Sequence, residues 1–490
     1  ASSSASPVTS AAPTQDAAAL HPASQRILGE LQGPLWLELY VSPRIKGLQG
    51  PAKEAERLLR GYERAGHGRV KLAVHHVGQD VAAEAAREAG MVEVGKYQSE
   101  ELGYLGLTMR YGDQRAVIPS FSVDGPSGLE FWITNKIREL RDLREHRQHR
   151  IGVVTGKGEL KLSDPVLAPS RGSDGPSLAS IMKQAFPFYV LVPVDLQAGK
   201  VPIDAGLEGL IITQPAQDYA LSELQRIDQF LLLGNKSLAV FASAVNLAPG
   251  SPQMQGTLSP HGLEKLLSGY GVELETNVLW DNASSFKVEV SKDDGTRATF
   301  RYPLIPIVRS SPETPSNGPL DASAVPFFRL DQLAFPFASS LRLAVDKQPA
   351  DVAFRGIARS TDETSSTHAS PVNLRPASSY PRGEMRSHLL AATVQGRLRS
   401  AFPLPLGDGK LGPVAPAPSR LLVIASSTYL ANPFVYADST TSPDPMVSGL
   451  AQPYVSNLTA MIVSFKNTLD WMLAAEDFVE LSATIVPPSR

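Results

Sequence analysis

The residues of this chain with the clearest chemical promise are Thr155-Gly-Lys-Gly-Glu159, a short glycine-rich turn carrying one cation and one carboxylate. Backbone N–H groups exposed by glycine, together with Lys157, can cradle an anion. The turn lacks the G-x-x-x-x-G-K-[ST] spacing that wraps a nucleoside triphosphate. It follows the apolar run Ile151-Gly-Val-Val, and two further apolar runs end on Thr213-Gln214 and on Phe241-Ala-Ser243. As parallel strands these runs would gather Thr155, Gly156, Lys157, Glu159, Thr213, Gln214 and Ser243 outside their C-terminal ends, where open α/β sheets keep ligands. Those seven are the candidate binding residues; tight structural turns are the plainer reading of the same segments.

Other chemistry is thin. Gly407-Asp-Gly-Lys-Leu-Gly412 has the spacing of a dinucleotide fingerprint. That motif needs a strand before it and a helix after it, and here Pro403, Pro405, Pro413, Pro416 and Pro418 flank it, so it reads as a flexible turn. No G-x-S-x-G elbow occurs. The chain has no cysteine, which removes thiol nucleophiles, cysteine-ligated zinc, iron–sulfur clusters and disulfides together. His75 and His76 are neighbours on a strand and point to opposite faces, while His146 and His149 fall in an arginine-rich helix end. No metal, no cofactor and no catalytic residue is expected. Asn235, Asn282 and Asn457 open formal glycosylation sequons, which are short enough to arise by chance.

Charge is balanced, with 46 Lys and Arg against 49 Asp and Glu, for a net −3. That argues against a nucleic-acid partner, which usually calls for a basic excess. The segment Lys136–Arg150 does gather Arg138, Arg141, Arg144, Arg147 and Arg150. It reads as a solvated helix end favoured by the helix dipole.

The elements that must position these residues follow from periodicity and caps. A helical pattern opens at Ser24, then Leu35–Ser42 reads as a buried strand. Ala52–Arg64 has helical spacing with Gly66 as its stop, and Val70–Val77 is a second strand. Asp80 caps a helix over Val81–Ala89, Gly106–Tyr111 and Arg115–Ile118 form a hairpin, and Ser127 with Glu130 makes a capping box for the next helix. The order β-α-β-α-β-β-α is that of a thioredoxin-like fold, here without cysteine in the loop Ser42–Gly47 where the redox pair would sit.

From Ile151, strands at 151–156, 188–194, 207–213 and 237–243 alternate with helices at 177–185, 222–233 and 262–269, with Ser222 and Gln225 as a capping box. Such alternation predicts a doubly wound parallel sheet of the amidotransferase or flavodoxin type. Beyond 283, short strands sit among Pro/Ser-rich loops, and Arg359–Pro381 is polar and aperiodic. A strand over 420–425, a helix over 457–472 and a final strand over 478–485 close the chain. The expected domains are a linker (1–23), a thioredoxin-like domain (24–150), a doubly wound α/β domain (151–282) and a Pro-rich mixed α/β region (283–490), the last left open as separate or as completing the second domain. No run approaches the ~18–20 apolar residues of a membrane helix, and the Ser/Ala-rich opening reads as a linker of a protein cut from its anchors.

Taken in order, several segments resemble the GldG-like auxiliary components of gliding-motility-type ABC transporters. They are Ser24–Ser42, Gly103–Gly112, Leu129–Ile137, Ile151–Glu159, Leu221–Gly234 with Ser237–Phe241, Leu421–Ser427 and Asn467–Leu473. The resemblance implies a non-catalytic subunit on the periplasmic face of the inner membrane, anchored by helices outside this chain. Its partners would be an ABC permease and its ATPase, with homo- or hetero-oligomers open. The competing reading of the residues is a carbohydrate- or anion-binding enzyme using the strand-end cleft.

Overall fold

The computed structural model describes residues 19–481, except 79–80, 96–100, 122–127, 170–174, 249, 251–253, 292–296, 312–313, 315–317, 377–382, 404–410, 439–444, 475–477 and 479–480. The expected linker up to residue 18, the Asp80 and Ser127 caps, most of the 407–412 turn, the far end of 359–381 and most of 478–485 lie outside the described residues. The chain is mixed α/β with several sheets and divides into two compact units, 1–146 with 476–490, and 147–475.

In the first unit the elements are α1 (Pro22–Gly29), β1 (Leu35–Val41), α2 (Gln49–Ala65), β2 (Val70–His76), α3 (Val81–Glu88), β3 (Glu93–Val94), β4 (Gly103–Tyr111), β5 (Gln114–Ile118) and α4 (Leu129–Arg144). β1 lies between a parallel β2 and an antiparallel β4, and β5 and β3 pair with the other edge of β4. Strand alternation sends Leu35, Leu37 and Leu39 to one face, where they are buried with Leu59 and Tyr62 of α2 and Ile133, Ile137 and Leu140 of α4. α4 starts at Gly128 in a left-handed conformation with no side-chain cap. Glu130 instead accepts from the His21 N–H at 2.8 Å and the Ser24 hydroxyl at 2.7 Å, tying α1 to α4.

The arginines at the end of α4 overturn the solvated reading. Arg138 and Arg141 are buried against Asp142, and Arg144 lies over the Tyr111 ring at 4.4 Å. A buried carboxylate needs cationic partners, and here the basic run supplies them.

The second unit opens with β6 (His149–Thr155), α5 (Leu178–Ala185), β7 (Tyr189–Asp195), β8 (Gly209–Thr213), α6 (Leu221–Leu232) and β9 (Ser237–Phe241). These strands run parallel in the order β7-β6-β8-β9. Every residue of β8 and β9 is buried, as a strand covered on both faces requires. Leu224, Ile227, Phe230 and Leu231 of α6 pack one face with Leu210, Ile212, Leu238 and Val240. On the other face Phe241 meets Tyr429 and Phe465, each ring 5.8 Å away, from the segment and helix (Leu458–Leu473) that close the unit. The helix packs closely there, since a Cβ at Gly209 would stand 2.6 Å from the Met472 methyl.

The sheet is not purely parallel and does not stop at residue 282. The strand Ser419–Ile424 adds in parallel to β9, and Leu389–Gly396, Leu341–Leu343 and Val272–Leu274 continue it antiparallel. Ser285–Ser291 pairs antiparallel with Arg297–Arg309, which Gln332–Ala334 joins. Within the stretch read as aperiodic, Thr364–Thr367 pairs with Val278–Asp281. Phe478 and Leu481 are helical, not extended.

Candidate functional site at the strand ends

The sheet order β7-β6-β8-β9 reverses direction between β6 and β8, and the crevice outside that reversal is where doubly wound sheets hold ligands. β6 delivers Thr155 opposite Asp195 of β7, and Gly156 turns the chain there with φ +110°, a conformation that favours glycine. β8 delivers Thr213 and Gln214, and β9 is followed by Ser243. All seven candidate residues therefore sit along this one edge.

The crevice is filled by the chain itself. The Ala216 N–H donates to the Lys157 carbonyl at 2.9 Å, and the Leu160 N–H to the Gln214 carbonyl at 2.9 Å. The Thr213 hydroxyl donates to the Leu160 carbonyl at 2.7 Å. These three bonds zip loop 156–160 onto segment 213–216.

Side chains complete the closure. Buried Glu159 accepts the Lys157 N–H through Oε2 at 2.8 Å and the Tyr219 hydroxyl through Oε1 at 2.8 Å. Burial, then the neighbouring Glu159 charge, pushes the Tyr219 phenol well above its ordinary range, so it stays protonated as a donor. The Lys157 ammonium lies 3.0 Å from Glu223 Oε2. The same oxygen accepts the Ala220 N–H at 2.8 Å and so caps α6. Ala220 with Glu223, not Ser222 with Gln225, is thus the capping pair; Ser222 donates to the Ala198 carbonyl.

Gln214 accepts the Ser243 N–H at 2.9 Å and donates to Asn246 Oδ1 at 2.9 Å, where His261 Nε2 also arrives at 3.0 Å. The Ser243 hydroxyl donates to the Phe337 carbonyl at 2.8 Å. The Lys157, Thr213, Gln214 and Ser243 donors that would have faced an anion are thus engaged by partners within the chain. Tyr219, Glu223, Asn246 and His261 complete the network and were not among the candidates. Only Glu223 carried a local signal, its place three residues into the helix.

Glu159→Ala is expected to orphan the buried Tyr219 hydroxyl and the half-buried Lys157 N–H and to cost about 2 kcal/mol in urea denaturation. A midpoint unchanged from the parent chain would show that the zip does not depend on that carboxylate.

Against known families, the one described as an ABC-type uncharacterized transport system matches residues 148–469. The chain belongs to that family. This ABC-type auxiliary component is matched across nearly all of its second unit, 147–475, and the matched residues exclude 1–146. Its family places it with the subunits of an ABC-type transport system. No curated protein matches the chain.

Proposed function

We propose that this auxiliary component is a GldG-like, non-catalytic subunit on the extracytoplasmic face of the inner membrane, where it binds substrate or couples the permease to envelope partners. The family match across 148–469 carries the reading. The self-filled crevice favours it over an enzyme working at the strand ends, because Lys157 and Glu159 are engaged by Glu223 and Tyr219. The strand order β2-β1-β4-β5, parallel only between β1 and β2, supports a thioredoxin-like origin for the first unit. The parallel order β7-β6-β8-β9 supports a flavodoxin-like origin for the second. The chain has no cysteine for the redox pair of a thioredoxin, which fits a domain kept for contacts.

Affinity purification of the full-length, membrane-anchored protein from detergent-solubilised native membranes tests the reading. An ABC permease and its ATPase are expected to co-purify with it. A preparation that recovers neither, under conditions that keep the permease and ATPase together, would overturn it.

A further inference from the structure

The second unit contains a cavity of about 600 Å³ away from the filled crevice, between the edge strands 272–274 and 341–343 and the segment leading into 389–396. Its ionisable lining is Glu275, Arg342, Arg359 and Arg386, with His368 and His388. Arg342 is paired with Glu273 and lies 4.0 Å from Glu275, and Lys347 lies 3.1 Å from Glu273. Those four charges balance.

Arg359 and Arg386 have no such counterweight. Among the described residues neither guanidinium forms a hydrogen bond or an ion pair within the chain. Glu384 acts on His388 but lies beyond ion-pair distance of both. Their segments run side by side: Arg359 registers with Leu389, the Ser360 N–H donates to the His388 carbonyl at 2.9 Å and the Arg386 N–H to the Thr364 carbonyl at 3.0 Å. Two like charges that line one cavity without a counter-charge favour an anion within it.

The walls are fixed. Asn277 donates to the Ser340 hydroxyl at 2.8 Å and accepts the Ser340 N–H at 3.0 Å. The Ser387 hydroxyl donates to the Ser360 carbonyl at 2.8 Å. His368 donates through Nδ1 to the Thr276 carbonyl at 2.9 Å. His388, its pKa pushed down to about 4 by burial and then by Arg386, is neutral near pH 7 and adds no charge.

We propose that this cavity binds a compact polyanion, a small molecule carrying two or more carboxylate or phosphate groups, held by Arg359 and Arg386. The guanidinium fork matches the paired oxygens of both groups. The volume falls within the ~300–1,000 Å³ of small-molecule sites. This site stands independently of any transport partner.

Calorimetric titration of the full chain at low salt, with citrate in one arm and pyrophosphate in the other, tests it. Saturable binding is expected in at least one arm, weakened about tenfold or more by Arg359→Ala and again by Arg386→Ala. Both positions are exposed, so the variants should fold, which their thermal melts would show. Arg359→Lys, which keeps the charge and loses the fork, should fall between. Binding of citrate alone assigns a carboxylate ligand and binding of pyrophosphate alone a phosphate ligand. Absence of binding in both arms, or binding unchanged in the folded double variant, would overturn the proposal.

Discussion

Replacing Asp470 with alanine should destabilise the second unit by about 3–5 kcal/mol, the usual cost of leaving a buried charge without its partner. Asp470 lies on the helix Leu458–Leu473 and is 2% exposed. It accepts the Lys466 ammonium at 2.6 Å, one turn earlier on the same helix, and the buried Tyr189 hydroxyl from β7. Alanine would take that carboxylate from the ammonium, and the Phe186 ring, 5.4 Å away, cannot replace a full countercharge. The helix also seats Phe465 on Phe241 and holds the Ser237 hydroxyl through the Met472 carbonyl at 2.6 Å. Loosening it therefore reaches the centre of the parallel sheet. Urea denaturation reads the loss. Removing both charges, as Lys466→Met with Asp470→Ala, should recover most of it, since an apolar pair has no desolvation debt. A single variant within about 1 kcal/mol of the parent would mean the helix is held by packing alone.

What could be read in the sequence was local. β8 and β9 are continuous apolar runs, and their burial on both faces follows from that. The strand at 419–424 was equally visible as an element, but nothing near it announces a parallel partner at 237–241. Periodicity fixes which face a strand buries, not which strand lies beside it. Thr364–Thr367 failed differently: Thr364 and Ser365 are fully buried yet polar, so the strand shows no apolar alternation.

The strand-end site shows both sides of this limit. Gly156 and Lys157 after an apolar run were enough to place the turn at the sheet edge. Whether such a turn stays open or is zipped depends on groups about 60 residues further on, such as Tyr219 with its |i−j| of 60 to Glu159. No spacing rule reports that. The same holds for Arg141, whose partner Glu30 is 111 residues away.

Asp142→Ala in α4 should cost the first unit a similar ~3–5 kcal/mol, and that cost should not depend on pH near neutrality. Asp142 is fully buried and holds two guanidiniums, Arg138 at 3.3 Å and Arg141 at 2.7 Å, which are themselves 8% and 4% exposed. Arg141 would keep Glu30, and Arg138 would keep Asn135 Oδ1 at 3.2 Å, so the helix end is weakened without being emptied. Arginine does not shed its proton inside a protein, so neither cation can escape the penalty by titrating. Measured as a difference from the parent chain between about pH 7 and about pH 9, the Asp142→Ala penalty should therefore stay level. Amide exchange at β1 and β4 would follow it, because α4 packs on that sheet through Ile133, Ile137 and Leu140. A penalty that changed over that pH range would show that a titrating group, and not the two guanidiniums left beside the missing carboxylate, sets the cost.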